Sequence, residues 1–354
     1  MTTMVRTSHR FYKRYQSSVE SVITGLGLGL LVGLLLANIP VYPPNWAPVL
    51  ISIIALVAIQ WPLVAYLLAA LVIIYPIYTI SLYLAVLFFA IAILAHRPAS
   101  HYLGATVLIF LTPLLAQYQL HWAVPILAGL WWGSVNGFWV GGAAALWGKM
   151  LAGMSGLEID WLLITGQTAS LAGIMQRFNG VGSLDTLSKL IAPIAPDTTL
   201  LLYHLLQIAV WALVAGFVGF LAHQRWIYHR YPWSTLLISA AGITALGLSH
   251  LFLTIWLKKT DPTLLNYDPL LIVAVAGLVV SSTLAVVRQA LELPVAPKVH
   301  RRIISVPVKR NKSNQPKVAE TPSLARPTPV PMPELPEWQP PEDDTNDLIL
   351  LELD

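Results

Sequence analysis

The sequence predicts an all-α, polytopic integral membrane helical bundle of about eight transmembrane helices, or ten in a longer reading, with a disordered cytoplasmic tail. Three observations lead there. Ser21–His96 and Pro98–Gly148 contain no Asp, Glu, Lys or Arg, whereas a surface in water needs charge. Over the whole chain 56% of residues are apolar and 11% charged, the balance of a membrane protein. After Leu293 the composition shifts abruptly to proline and charge, with few aromatics.

Residues 1–18 form a basic N-terminus (Arg6, Arg10, Lys13, Arg14) expected to stay cytoplasmic. The first span, Val19–Ile39, has no small-x-small cleavage site after it and reads as a retained signal anchor. It opens a first transmembrane block over 19–148. Pro62 and Pro76 punctuate Trp46–Leu94. Three helices there would average about 15 residues, roughly 22 Å, short of a ~30 Å hydrocarbon layer. Two are therefore expected: Pro48–Tyr75, kinked or tilted at Pro62, and Ile77–Leu94. Leu103–Gln117 and Pro125–Gly148 complete the block.

Residues 149–197 are mixed. Glu158 and Asp160 precede Trp161–Met175, an apolar stretch broken by Thr165-Gly166-Gln167-Thr168, which crosses the membrane in the ten-span reading. Leu184, Leu187, Ile191 and Ile194 recur at helical spacing among Asp185, Ser188 and Lys189, the pattern of an interfacial helix or lid. A second block over 198–288 holds Thr199–Ala222, Ser234–Leu257 and Pro269–Val287. The basic loop from His223 to Arg230 places both termini inside, in a bacterial-type plasma membrane.

Two expected helices carry small residues at four-residue spacing, the pattern of a glycine zipper. The first is 21–37 (Ser21, Gly25, Gly29, Gly33, Ala37) and the second is 129–145 (Gly129, Gly133, Gly137, Gly141, Ala145). Each set makes a groove along one helix face where another backbone can approach, within the chain or from a homo- or hetero-oligomeric partner. Trp132 and Trp139, seven apart, share a face and could line an aromatic pocket. The glycine spacing over Pro125–Gly148 resembles that of helices in the small-solute-binding membrane subunits of energy-coupling-factor transporters, and it identifies no family.

Polar groups inside spans are costly, so they are the candidate site. His204 and Gln207 share a face with Trp211 a turn further, and His250 lies in the next span. Both histidines fall about 9 Å from the outer ends of their spans at 1.5 Å per residue. The plain reading of these groups is interhelical hydrogen bonding. The alternative is that, with Asn136 and Trp139, they form an outward-facing ligand site. Two histidines without a membrane carboxylate make a poor metal set, and no cofactor is expected. There is no phosphate loop, HExxH or GxSxG, and no nucleophile–base pair, so no enzymatic activity is expected.

The tail, 289–354, contains a basic stretch, Lys298–Lys317, suited to anionic lipids. The basic charge flanks spans and does not indicate nucleic acid. Prolines over Thr328–Pro336 favour an extended spacer. The end, 342–354, sets an apolar patch among acids: Asp347, Leu348, Ile349, Leu350, Leu351 and Leu353 are expected to dock a cytoplasmic protein partner. The expected function is a non-catalytic scaffold or accessory subunit of a membrane complex recruiting that partner; the alternative is a small-solute transporter or substrate-binding subunit with a site near His204 and His250.

Overall fold

A computed structural model describes residues 2–39, 41–43, 45–157, 159–160, 171–224, 233–260 and 267–292. The tail peptide, the basic stretch Lys298–Lys317 and residues 161–170 of the ten-span reading lie outside the described residues.

Every regular element among the described residues is a helix: α1 (Thr2–Asn38), α2 (Trp46–Gln60), α3 (Pro62–Ile80), α4 (Leu82–Leu94), α5 (His96–His101), α6 (Leu103–Gln117), α7 (Ala123–Ser155), α8 (Leu171–Phe178), α9 (Ser183–Ile191), α10 (Thr198–Ala222), α11 (Trp233–Leu257) and α12 (Asp268–Glu292). Among the described residues, five segments are long and apolar enough to cross a membrane: Arg14–Ala37, Pro62–Ile80, Thr198–Ala222, Ser234–Leu257 and Asp268–Arg288. Shorter apolar helices stand beside them. The burial pattern is that of a protein solvated by lipid. Ala65, Ala116, Ala128, Ala144, Ala152 and Ala215 are buried at the helix contacts, with Ser239, Ser281 and Gln207, whereas Leu71, Phe252 and Val279 face outward. Hydrocarbon outside gives large apolar side chains no reason to hide, and close packing selects small ones inside.

The sequence favours two helices over Trp46–Leu94, and the structure has three. Pro62 opens α3 at its first turn, where its missing N–H costs nothing. The next break falls at Ser81, in extended backbone, with its hydroxyl accepting from Leu84 N. Pro76 stays inside α3. It cannot donate to the Val72 carbonyl four residues back, and the Tyr42 hydroxyl donates to that carbonyl instead, at 3.0 Å. A tertiary contact thus removes the reason for a break at Pro76.

Helix α1 uses its glycine face for α2. A Cβ on Gly25 would lie 2.7 Å from Ala55 O, and one on Gly33 2.9 Å from Ile51 Cδ1. Gly29 approaches Ala55 Cβ in the same row.

The second stripe is not one straight groove. Residues eight apart in a straight helix are separated by about 12 Å. A Cβ on Gly137 would nevertheless lie 2.9 Å from Gly129 Cα. The chain turns back at Gly133, whose φ of 76° and ψ of −168° is a conformation essentially reserved for glycine. α7 is therefore a hairpin with limbs 123–132 and 134–155. The turn also separates Trp132 from Trp139, so these residues do not share a helix face.

Helix α10 runs antiparallel to the second limb. Gly216 meets Ser134 and Phe138, and Gly141 meets Trp211 and Ala215. The first limb lies along the same helix: a Cβ on Gly129 would overlap Ala215 O, and Gly219 sits against Gly133. Gly133 and His223 mark one end of the bundle. Arg288 lies over the Trp131 ring at 5.2 Å, so α12 ends there too. Gly104, beside Trp132 and Thr24, places the early part of α1 at that same end.

α9 forms where the Leu184 spacing predicts a helix, but it buries Thr186 and Leu190. Leu184, Leu187 and Ile191 face outward, with Leu184 81% exposed.

Candidate functional site

The candidate site grows from Lys149, which by its charge marks the start of an extramembrane segment in the sequence. α7 instead continues to Ser155, and Lys149 is 2% exposed inside the bundle. An ammonium group there needs hydrogen-bond partners. It donates to Gln207 Oε1 at 2.5 Å and to His204 Nδ1 at 3.3 Å, both on α10. Acceptance at Nδ1 fixes His204 as the neutral tautomer with its proton on Nε2. The His204 ring lies 4.0 Å from Asp160 Oδ1, and the other oxygen of Asp160 is ion-paired with Lys258.

α10 and α11 extend this cluster inward. Tyr203 and Thr254 are 3.1 Å apart, and Thr254 donates to His250 O at 2.8 Å. Since that hydroxyl proton is committed, Tyr203 is the donor to Thr254. Trp211 Nε1 donates to His250 Nε2 at 3.1 Å, so the His250 proton is on Nδ1. His121 stacks on Trp211 at 6.1 Å, and Trp122 on His250 at 5.8 Å.

His121 and Trp122 belong to the connection between α6 and α7, where Gln119 has a positive φ of 60°. Trp211 is about 20 Å along α10 from Thr198 at 1.5 Å per residue. A non-helical turn therefore sits halfway along a span. Such backbone is tolerated at membrane depth where protein buries it or it lines a cavity.

Several buried polar atoms have no hydrogen-bond partner among the described residues: Gln207 Nε2, His250 Nδ1, both ring nitrogens of His121, and Asp160 Oδ1. Gln207 Nε2 and His250 Nδ1 are donors by the assignments above, and neutral His121 adds one more. The site is rich in donors and carries two ammonium groups, Lys149 and Lys258, around the carboxylate of Asp160.

Of the residues singled out from sequence, His204, Gln207, Trp211 and His250 come together. Asn136 and Trp139 do not. Asn136 lies near the Gly133 turn and donates to Tyr102 Oη at 3.3 Å, while Trp139 is 70% exposed. The two histidines do not bond each other; His204 serves Lys149 and His250 serves Trp211. The docking residues Asp347, Leu348, Ile349, Leu350, Leu351 and Leu353 lie outside the described residues. Sequence reasoning missed Lys149, Asp160, Lys258 and His121. For Lys149 a signal existed: it continues the register Gly141, Ala145, 149, Gly153 on the buried face.

No family model, no curated protein and no solved structure matches this chain.

Proposed function

We propose that this integral membrane protein is a small-solute transporter, or the substrate-binding membrane subunit of one, and that the Lys149–His204–Gln207–Trp211–His250 cluster is its solute site. The observation that carries this reading is Lys149: a charged group buried in the bundle, bonded to neutral side chains, beside orphaned donors. A purely structural lysine is an expensive way to join two helices, since neutral polar pairs do this at lower desolvation cost. The surplus of donors selects an acceptor-rich solute carrying a carboxylate or phosphate. The end of the bundle with Gly133 and Arg288 also carries the basic start of α1 and is assigned to the cytoplasm by the positive-inside rule. That puts Asp160 and Lys258 at the outer mouth.

The test is a thermal-shift screen of the full-length protein in mild detergent against small carboxylates, phosphates and neutral polar solutes. The expected hit is an anion, and its stabilising shift disappears in His204→Ala and His250→Ala while both variants still melt cooperatively. Retention of the full shift in both variants defeats the site.

A second reading, the scaffold or accessory subunit, is favoured by the terminal peptide 342–354, whose apolar run a solvating tail does not need. Affinity purification of the full chain beside a form ending at Pro341 tests it. The docking reading expects a co-purifying protein that is lost with the tail. Identical companions in both preparations refute it.

A further inference from the structure

A cavity lies on the face of the second limb of α7 that points away from α10. It measures about 330 Å³, at the lower end of the range of small-molecule sites. Its walls come from α1, α3, α4, α6, α7, α8 and α9, and include Leu84, Phe110, Leu114, Leu151 and Met154. None of the polar-site residues reaches it. On the second limb, positions 147, 150, 151 and 154 face this cavity, whereas Ala145, Lys149 and Ala152 face α10.

We propose that this cavity holds one acyl chain of an anionic phospholipid taken from the surrounding bilayer. The occupant follows from what surrounds the protein and from the chemistry of the lining. The cavity is walled chiefly by Leu, Ile, Phe and Met, with Gln117 and Trp147 as its polar members, and so few polar groups hold water poorly along most of its length. Hydrocarbon is the available filler for a bundle standing in lipid, and an acyl chain restores the dispersion attraction that an empty void forfeits.

The headgroup preference comes from the rim. Ile174 of α8 and Leu190 of α9 close the cavity at the end of the bundle where α1 finishes. One turn beyond Ile174 stands Arg177, and Lys189 precedes Leu190. Both are half-buried and donate to main-chain carbonyls, Arg177 to Gly153 O at 2.5 Å and Lys189 to Arg177 O at 2.8 Å. Neither has a carboxylate within ion-pair distance among the described residues. These two cations adjoin in sequence the residues that close the cavity, carry no ion pair among the described residues, and match a phosphate head above a hydrocarbon tail. Outward-facing Leu184, Leu187 and Ile191 keep α9 at the lipid interface, where such a head sits.

The full-length protein is reconstituted in phosphatidylcholine vesicles containing a little phosphatidylglycerol with a diazirine at the end of one acyl chain. After photolysis, labelled peptides are mapped. Labels are expected on Phe110, Leu111 or Leu114, lining residues away from the rim, as well as on the outward-facing Leu71 and Phe252. Unlabelled phosphatidylglycerol should displace the cavity labels at a concentration roughly tenfold below phosphatidylcholine, the scale of one charge-assisted contact. Arg177→Gln with Lys189→Gln should abolish that preference. Leu84→Trp, which fills the cavity near its rim, should lower labelling at Phe110 and Leu111 several-fold and leave Leu71 and Phe252 unchanged. Labels confined to outward-facing residues in the wild-type protein overturn the proposal. Equal displacement by the two lipids overturns the anionic headgroup.

Discussion

Lys149→Met is expected to leave the bundle folded, with a melting temperature equal to or above that of the wild-type protein, and to abolish the thermal shift given by an anionic solute. Two effects oppose each other in the empty protein. Removing the ammonium leaves Gln207 Oε1 and His204 Nδ1 without their donor, at about 1–3 kcal/mol for an unsatisfied buried group. It also removes the cost of holding a charge away from water, and replacing buried ionic groups by apolar ones of similar volume is often neutral or stabilising by about 1–4 kcal/mol. Methionine matches lysine in length and leaves little void, so the second effect cancels or exceeds the first. Binding responds differently, because the solute loses its main counter-charge in a low-dielectric site. Thermal melts of the two proteins, with and without the anion found by screening, separate the roles. A variant that is strongly destabilised yet keeps the full shift would make Lys149 a structural peg.

Gly219→Val is expected to prevent folding of the central hairpin. Its Cβ would overlap the Gly133 carbonyl carbon and lie 2.6 Å from Ser134 N. These are backbone atoms at a turn whose conformation is already fixed by Gly133, so neither side can give way. The cost lies at or above the roughly 1–3 kcal/mol of overpacked cores. Gly133→Ala should cost about 1–3 kcal/mol through backbone strain. Gly180→Ala is the control: it also has a positive φ, 70°, but nothing lies within 4 Å of its added Cβ. It should retain wild-type monodispersity on size exclusion and lose only about 1–2 kcal/mol, the cost of a side chain held at positive φ. Wild-type melting in Gly219→Val would show that the limbs of α7 do not fold back on α10.

Sequence alone determined the solvent and the class of fold. Uncharged runs of that length have no soluble solution, and each backbone group in lipid must be paired, which leaves helices. It also located α10, α11 and α12 closely, since each is a continuous apolar segment bounded by charged or polar residues. His204, Gln207, Trp211 and His250 were readable as a candidate site because polar side chains stand out against a uniformly apolar background.

Tertiary contacts decided what sequence spacing left ambiguous. A proline predicts a broken helix until another part of the chain supplies a donor, as Tyr42 does for Val72. Four-residue glycine spacing reads the same in a straight helix as in one that doubles back, because the period is local and the fold-back depends on α10 receiving both limbs. Lys149 looks like the end of a span by charge. Gln207 and His204, more than fifty positions away in the chain, are what allow it to stay inside. Asp160, Lys258 and His121 join the cluster for the same reason: hydrogen bonds and ion pairs act through space, and the sequence records only the order of residues along the chain.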